Sequence, residues 1–161
     1  MKILIMSDIH SAGRNAAEIL KKHSDSDAVI FLGDGERGFE LAMAECGLDI
    51  CGNDDQKVYQ VSGNCDWDSM EPSLIRPVID GVKICITHGH GHGVKSKAGI
   101  QNLADYAAAQ GCKAALFGHT HRRYHDEKNG VILFNPGAVQ NGEYGIMMIS
   151  DGSVEVKYLN V

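Results

Sequence analysis

Residues 3–10, ILIMSDIH, decide the fold. The first four residues are apolar and partly β-branched, a pattern that predicts a short buried strand over residues 3–6. Polar residues, among them Asp8 and His10, end this strand. The apolar side chains of residues 15–23 then recur at helical spacing. The chain is therefore expected to begin with a strand followed by a helix.

The same strand and helix unit occurs again in the next part of the chain. Residues 28–32 are apolar throughout and predict a strand, and residues 39–46 carry a helical stripe that ends at Gly47. Two consecutive units of this kind favour a largely parallel sheet that is buried on both faces. The same criteria predict two more strands and one more helix: 58–61, 114–117 and 96–109.

Three dipeptides of the type that closes hairpins separate apolar runs: Asp80-Gly81, Asn129-Gly130 and Asp151-Gly152. The first predicts a hairpin of strands 74–79 and 82–87. The other two predict an antiparallel meander of four strands: 124–126, 131–134, 144–149 and 154–158. Roughly ten strands are too many for one sheet, so we expect an α/β fold with two packed sheets and outer helices.

The composition indicates an acidic globular protein. The chain has 161 residues, of which 43% are hydrophobic and 22% are charged, and this fits a single domain over residues 1–161. Fifteen Lys and Arg against 21 Asp and Glu give a net charge of −6, which opposes non-specific attraction to nucleic acid and to anionic lipid. We therefore expect neither a nucleic-acid coat nor membrane binding.

The cysteines indicate a reducing compartment. There are five, an odd number without a CxxC pair, which argues against a disulfide scaffold and a structural zinc site. Cys46, Cys85 and Cys112 lie in apolar contexts and are predicted to pack in the core, whereas Cys51 lies in a polar stretch and is predicted to be exposed. No apolar run approaches the length of about eighteen residues that a membrane span needs. A cytoplasmic location is expected.

Polar residues end five of the predicted strands in a similar way. The motifs are, in chain order, Ser7-Asp8-Ile9-His10, Gly33-Asp34-Gly35, Gly63-Asn64-Cys65-Asp66, Thr87-His88-Gly89-His90 and Gly118-His119-Thr120-His121. The carboxyl ends of parallel strands face one crevice, so these loops are expected to converge. Residues i and i+2 of an extended segment project to the same side, which predicts that Asp8 and His10 serve one site. The same spacing applies to His119 and His121.

These loops contain seven residues of metal-ligand type: Asp8, His10, Asp34, Asn64, His88, His119 and His121. Two carboxylates, one amide oxygen and four imidazoles are too many for one tetrahedral zinc ion. The set suits two divalent ions that share a carboxylate, and its mixture of nitrogen and oxygen favours Mn, Fe, Zn or Ni over Mg and Ca. Two such ions can activate water and polarise a phosphoryl group.

In this order the five motifs resemble those of the calcineurin-like metallophosphoesterase superfamily, and most closely its small, cap-less YfcE-like phosphodiesterase branch. The motifs span residues 8–121, and the later Asn135-Pro136-Gly137 is similar to the turn that follows them in this branch. The resemblance implies a four-layer α/β/β/α sandwich. It also implies a divalent-metal-dependent phosphoesterase that hydrolyses small phosphodiesters or phosphomonoesters.

The resemblance further implies a role for each ligand. The two ions would be held in two groups that Asp34 bridges, with Asp8, His10 and His121 in one group and Asn64, His88 and His119 in the other. A hydroxide that bridges the ions would attack phosphorus. Asn64 would also contact a phosphate oxygen, and His90 would line the substrate side.

Position 65 is among those that depart from the superfamily pattern. Many members have a His after the Asn that assists the leaving group, and Cys65 stands there, as is usual in the YfcE-like branch. A thiol with an ordinary pKa of about 8.5 is a poorer acid partner for an alkoxide than an imidazolium, although it suffices for a good leaving group. Cys65 is therefore a candidate catalytic residue, and the general acid is left unassigned.

Simpler interpretations exist for single residues. Asp8 and Asp34 could cap the helices that follow them, and His88, His90 and His92 could belong to a solvated polar loop. The joint presence of seven ligand-type residues at five strand ends argues against both interpretations.

Two alternatives concern the whole chain. The same fold occurs in the metallophosphoesterase-like subunit of retromer, which serves protein partners, so a non-catalytic interaction scaffold is the main alternative. A nuclease would use the same metals, but the acidic balance and the lack of an aromatic and basic stripe argue against it. The expected partner is a small phosphoester substrate, and the sequence leaves open whether the chain forms a homo-oligomer.

Overall fold

Strands and helices alternate along the first half of the chain, as the apolar pattern predicts. The computed structural model describes residues 1–49 and 56–161, and these contain eleven strands and three α-helices. The first elements are β1 (Lys2–Met6), α1 (Gly13–Lys22), β2 (Ala28–Phe31), α2 (Glu36–Glu45), β3 (Lys57–Gln60), β4 (Leu74–Ile75) and β5 (Val78–Ile79). They are followed by β6 (Val82–Thr87), α3 (Lys97–Ala109), β7 (Ala114–Leu116), β8 (Tyr124–Lys128), β9 (Val131–Asn135), β10 (Glu143–Ser150) and β11 (Ser153–Asn160).

The strands form two mixed sheets. The first has the order β11-β10-β1-β2-β3, in which β1, β2 and β3 run parallel and β10 pairs antiparallel with β1. The second has the order β4-β6-β7-β9-β8, in which β6, β7 and β9 run parallel and β5 also pairs with β6. Each sheet thus has a parallel centre whose strands end at the same edge.

Three apolar cores separate four layers. Ile3 and Ile30 of the first sheet pack between the sheets with Ile84 and Leu116 of the second. Because side chains alternate along a strand, Leu4 points to the opposite face. The outer cores are formed under α1 and α2 by Leu4, Ile19, Leu20 and Phe39, and under α3 by Leu103, Ala104, Ala115 and Phe117. This arrangement confirms the α/β fold class and its four-layer α/β/β/α form.

The three predicted hairpin dipeptides all form turns. Asp80, Asn129 and Asp151 have φ of 49°, 54° and 50°, and the glycine after each also has a positive φ. Two left-handed residues in succession are typical of the type I′ turn, whose twist matches that of the flanking strands. The hairpins β5-β6, β8-β9 and β10-β11 are therefore set by local sequence.

The strand predicted over residues 74–79 is interrupted. Pro77 separates β4 from β5, and both short strands pair with β6. Proline has no N–H to donate to the ladder, so the strand breaks around it, while its carbonyl still accepts from the N–H of Ile84 (3.0 Å).

The predicted four-strand meander is wrong. The hairpins β8-β9 and β10-β11 lie in different sheets, because the chain leaves the second sheet after β9 and β10 pairs with β1 in the first. The physical reason is burial: most of β10 is buried, as a strand between two neighbours requires, whereas β11 at the edge is largely accessible.

Two further expectations from the sequence concern membrane-spanning segments and the burial of the cysteines. Among the described residues, no helix is long and apolar enough to cross a membrane. Cys85 and Cys112 are buried, as predicted, and burial raises the pKa of the Cys85 thiol to about 12. Cys46 is only partly buried and packs against the core under α1 and α2. Cys51 lies outside the described residues.

Candidate metal centre

The structure brings six of the seven predicted ligand residues together at the carboxyl ends of the parallel strands. Asp8 and His10 follow β1, Asp34 follows β2, His88 follows β6, and His119 and His121 follow β7. Both sheets therefore contribute to one site, which lies where their strands end.

An unusual backbone conformation directs these side chains. Five of the six residues have a left-handed backbone: Asp8 (φ 53°), His10 (45°), Asp34 (62°), His119 (65°) and His121 (54°). In the described part of the chain, the other non-glycine residues with positive φ are the three of the hairpin turns. Such conformations cost about 1–3 kcal/mol each and concentrate at functional sites. Left-handed turns, rather than alternation along an extended segment, thus bring Asp8 and His10 to one side, so the expectation of extended segments was wrong.

Two glycines allow the loops to approach each other closely. A Cβ on Gly63 would overlap Oδ1 of Asp34, and a Cβ on Gly118 would overlap Oγ of Ser7. Any side chain at either position would therefore displace a carboxylate of the site or the residue that supports it.

One set of side chains, which we call the four-residue cluster, consists of Asp8, His10, Asp34 and His121. One side-chain nitrogen or oxygen of each lies within 4.8 Å of the corresponding atoms of the others. The two imidazole Nε2 atoms are 3.3 Å apart, and that of His121 lies 3.1 Å from Oδ1 of Asp8. Side-chain atoms at these distances from one another can surround a single cation.

A second set, the three-residue cluster, consists of Asp34, His88 and His119 and meets the same distance criterion. Nε2 of His88 lies 3.3 Å from Oδ2 of Asp34, and the rings of His88 and His119 are 5.1 Å apart. Because Asp34 belongs to both clusters, its carboxylate lies between them. A carboxylate in this position can bridge two ions.

Two buried atoms indicate that these clusters fit cations. Oδ1 of Asp8 and Nε2 of His88 have no hydrogen-bond partner among the described residues. Nδ1 of His88 lies 2.7 Å from the carbonyl of Leu32, to which its N–H donates, so the neutral ring has its lone pair on Nε2. A buried polar atom without a partner is costly, and a divalent ion bound by nitrogen and oxygen would satisfy both atoms.

Burial and neighbouring charges shift the pKa values of the site in different directions. Burial raises the pKa of the Asp8 carboxyl, whereas at Asp34 the contacts with His88 and the N–H of Cys65 outweigh burial and hold the pKa well below its usual value. Burial and the charge of His88 lower the pKa of His119 to about 4, so this ring is neutral at pH 7. Burial also acts to lower the pKa of His88, but Asp34 and Asp8 raise it overall.

Hydrogen bonds orient both carboxylates. Oδ2 of Asp8 accepts from Oγ of Ser7 (2.5 Å) and from the N–H of His119 (3.1 Å), which leaves Oδ1 for a cation. Oδ1 of Asp34 accepts from the N–H of Cys65 (2.7 Å), which leaves Oδ2 facing both clusters. Each carboxylate thus has one oxygen held by the protein and one directed into the site.

Asp66 supports the site, although sequence reasoning gave it no role. Its carboxylate accepts from the N–H groups of Asp34, Gly35, Glu36 and Gly63 at 2.8–3.0 Å and so ties the loop after β3 to the start of α2. The sequence signal for Asp66 was its place in the Gly63-Asn64-Cys65-Asp66 motif.

Neither α1 nor α2 has a side-chain cap from the residue at its N-cap position. The alternative that Asp8 and Asp34 serve as helix caps is therefore wrong.

Gln140 is a second residue that sequence reasoning missed. Its side-chain amide lies 2.8 Å from Nδ1 of His121, on the side of the ring away from Asp8. Asn135 fixes the adjoining loop by donating to the carbonyl of Gly118 (2.8 Å) and to Oγ1 of Thr120 (3.0 Å). Because Gln140 is 19 positions from His121 and follows no spacing rule, the sequence offers no signal for this contact.

The three residues predicted to face the substrate are all exposed. Nδ2 of Asn64 donates to Sγ of Cys65 (3.3 Å), and the ring of His90 lies 5.5 Å from that of His88. Burial and the charge of Asp34 raise the pKa of the Cys65 thiol, whereas burial and the charge of His88 lower the pKa of His90. These side chains flank the clusters on the solvent side.

The alternative of a solvated histidine loop holds for part of the segment only. His88 is fully buried and His90 is exposed. His92 is partly buried, and its ring lies 5.5 Å from that of Tyr106. We therefore assign His92 a packing role and leave it out of the site.

A cavity of about 620 Å³ opens beside the four-residue cluster. His10 and Cys65 form its inner end, and its walls come from the first turns of α2 and from residues 66–69. Trp67, which is 89% exposed, lies at its rim. The space is large enough for the alcohol part of a small ester.

The fold is shared with several solved structures. A predicted phosphoesterase of Streptococcus pneumoniae superposes with a TM-score of 0.80 at 23% identity, over 99% of this chain and 88% of that one. Vps29 of Entamoeba histolytica complexed with Zn²⁺ superposes with a TM-score of 0.66 at 18% identity, over 99% of both chains. At these identities the likeness shows the fold.

Sequence comparison shows the family. The probable metallophosphoesterase YsnB of Bacillus subtilis is 27% identical over 98% of this chain and 90% of its own length. Phosphodiesterase MJ0936 of Methanocaldococcus jannaschii is 30% identical over 85% of this chain and 83% of its own length. The family model of the calcineurin-like phosphoesterase superfamily domain matches residues 1–151. The chain thus belongs to the calcineurin-like phosphoesterase superfamily, as its ordered motifs suggested.

Proposed function

We propose that the protein is a divalent-metal-dependent hydrolase of small phosphodiesters, with phosphomonoesters as a second substrate class. The observation that carries the proposal is the pair of clusters that share Asp34 at the strand ends. The buried Oδ1 of Asp8 and Nε2 of His88 add to it, because neither atom has a hydrogen-bond partner among the described residues and a cation would supply a partner for both. The relatives named as a phosphodiesterase and a probable metallophosphoesterase support the same activity.

The residues divide between two ions in this proposal. The four-residue cluster would hold one ion, and the three-residue cluster, with the amide oxygen of Asn64, would hold the other. Mn, Fe, Zn and Ni all suit such a mixture of imidazole and carboxylate. When bound, two ions supply positive charge that polarises a phosphoryl oxygen and makes water more acidic.

The protein's own groups would prepare this centre. Ser7 and the N–H of His119 hold Asp8, and the carbonyl of Leu32 holds His88 in the tautomer that a cation needs. His119, whose pKa is lowered to about 4, needs no deprotonation at neutral pH before it binds an ion. The site is thus oriented before any ion arrives.

Asn64, Cys65 and His90 would contact the substrate from the solvent side. The amide of Asn64 would donate to a phosphate oxygen, and the N–H of the neutral ring of His90 would donate to an ester oxygen. The raised pKa of Cys65 keeps the thiol protonated at pH 7, so that Sγ would donate a hydrogen bond to the departing oxygen. Such a weak acid is adequate only for a good leaving group.

The test is metal-dependent turnover by the purified protein. We expect it to hydrolyse bis(p-nitrophenyl) phosphate with Mn²⁺ or Ni²⁺, to lose this activity in chelator and to regain it when metal is restored. Cys65→Ala should keep the metal content and slow diesters of aliphatic alcohols more than nitrophenyl esters. A protein that binds none of these metals and is inert on diesters and monoesters would refute the proposal.

A non-catalytic interaction scaffold of the same fold is the second candidate. Its specific support is the exposure of two large apolar side chains in one segment, Trp67 at 89%, which lines the cavity beside the site, and Met70 at 96%. Metal binding alone does not identify an enzyme, because Vps29 shares the fold and was solved in complex with Zn²⁺. Two bound ions without any turnover, together with a stoichiometric protein partner that Trp67→Ala and Met70→Ala release, would favour the scaffold.

A further inference from the structure

A second cavity, of about 480 Å³, lies on the other side of the centre and has a different character. Its lining combines apolar residues, namely the partly exposed Ile100 and Tyr124 and the buried Val94 and Phe117, with the cations Lys95 and Arg122. In a chain with a net charge of −6, two cations in one partly apolar lining stand out. Organic anions bind at sites that combine these two properties.

The two cations are free to bind a ligand. Both side chains are exposed, and no ion pair joins either of them to another residue in the ranges that the structure describes. Arg123, which also lines the cavity, differs because its guanidinium donates to the carbonyl of Leu159 (2.6 Å) and lies 3.4 Å from Glu143. Lys95 and Arg122 are thus the cavity's uncompensated charges.

The cavity adjoins the candidate centre. Thr120, which lines it, lies between the candidate ligands His119 and His121 in the sequence. Asn135 donates to Oγ1 of this threonine, which helps to fix its position in the lining. The positive charge of Lys95 also acts on the ring of His119. A molecule at the centre can therefore extend into the cavity.

The first cavity is unsuited to an anion. The carboxyl groups of Glu36, Glu40 and Asp68 line it, whereas Arg37 is its one cation among the lining residues. A diester whose alcohol carries an additional negative charge would be repelled there and attracted on the side of Lys95 and Arg122. The charges of the two cavities thus predict which cavity an acidic substituent of the substrate would enter.

We propose that the cavity of Lys95 and Arg122 is a subsite for an acidic substituent of the substrate, a carboxylate or phosphoryl group carried on an apolar or aromatic body. The inference rests on the proposed function, because it names the substrate class of the same centre. The acidic group pairs with the two cations, and the apolar body packs on the partly exposed Ile100 and Tyr124.

Binding to the metal-free protein tests the subsite without any catalysis. Naphthalene-2-sulfonate, which has one anionic group on an aromatic body, should shift the methyl NMR signals of Val94 and Ile100 on titration. Lys95→Ala with Arg122→Ala should weaken this binding about tenfold, as the loss of two exposed charge pairs allows. The matched control, Lys97→Ala with Lys113→Ala, removes the same charge from exposed positions outside the lining and should change affinity less than twofold.

A series of substrates tests the link to turnover. The p-nitrophenyl phosphodiesters of glycolate, ethanol and choline share one leaving group and differ in the charge of the other alcohol. For the metal-loaded protein KM should rise from the glycolate to the ethyl to the choline ester, and the Lys95 and Arg122 double variant should flatten this order.

The outcomes separate the two proposals. Metal-dependent turnover that is independent of substrate charge, with no methyl shifts near Val94, would overturn the subsite and leave the proposed function standing. Methyl shifts that the double variant abolishes, in a protein that hydrolyses no ester with any metal, would support the anion site and refute the proposed function. Equal binding of the probe by the double variant and the wild type would also overturn the subsite.

Discussion

The four-residue cluster takes three of its side chains from the first sheet and one from the second, whereas the three-residue cluster takes only Asp34 from the first. The former combines two carboxylates with two imidazoles, and the latter one carboxylate with two imidazoles. Burial differs for one residue, because His88 is fully buried while His119 of its own cluster and His10 and His121 of the other are partly accessible. The same kinds of side chain thus form two unequal sites.

The difference predicts unequal binding of the two ions. Two carboxylates attract a divalent ion more strongly than one, and four protein groups hold it better than three. The additional ligand proposed for the smaller cluster, Asn64, is a neutral and exposed amide. We therefore expect the four-residue cluster to bind its ion more tightly. The following changes test this difference in affinity.

The largest effect should follow Asp34→Asn, because this residue belongs to both clusters. Both ions should lose affinity by more than about 100-fold, since loss of an outer partner alone costs about 10- to 100-fold. Metal content after dialysis and calorimetric titration measure this directly. Asp151→Asn is the matched control, because Asn suits the left-handed turn position that Asp151 occupies. A variant that keeps one ion at the wild-type affinity would contradict the bridging role.

Removal of one histidine from each cluster should separate the two ions. His88→Ala leaves only Asp34 and His119 in the three-residue cluster, so the metal content should fall from two ions to one. His10→Ala leaves three groups in the other cluster and should weaken that ion while both are still bound at saturating metal. Equal losses in the two variants would show that the clusters are equivalent.

Acidification should weaken the binding of the ion in the three-residue cluster. An imidazole must lose its proton to bind an ion, and the carboxylates of Asp34 and Asp8 raise the pKa of His88 above its usual value. Metal affinity should therefore fall about tenfold per pH unit once the pH drops below that pKa, a slope that calorimetry over a series of pH values measures. His119, with a pKa of about 4, should add nothing near neutral pH. A metal affinity that does not fall on acidification would contradict the role of His88 as a ligand.

The smallest effect should come from Gln140→Ala. Loss of the amide at Nδ1 of His121 removes an outer partner of the four-residue cluster, which should weaken that ion about tenfold because the contact is exposed. Gln101→Ala, an exposed glutamine on α3, serves as the control. No change in the affinity of the tighter ion would show that Gln140 does not orient His121.

Local sequence was sufficient for much of the fold. The apolar runs predicted the strands and helices of the first half, and the dipeptides with Asp or Asn before Gly predicted three turns. The partner of β10 could not be read in this way, because its pairing with β1 joins residues from opposite ends of the chain. The pattern of apolar runs and turn dipeptides therefore predicted one meander from two hairpins that belong to different sheets.

The site shows the same division between local and distant information. Motif order picked out the residues of both clusters, yet the left-handed turns that direct them are a property of the folded loops. Asp66 acts through backbone N–H groups from two loops, and Gln140 acts from a turn that no motif marks. Contacts of this kind depend on which loops the two sheets bring together. The spacing of residues within a motif therefore does not predict them.

The most direct test of the central claim is a crystal structure of the protein grown with Mn²⁺ and measured at the manganese absorption edge. We expect two anomalous peaks about 3.5–4 Å apart on either side of the Asp34 carboxylate, with the higher occupancy in the four-residue cluster. A single peak, or peaks that Asp34 does not contact, would contradict a centre in which this carboxylate joins two ions.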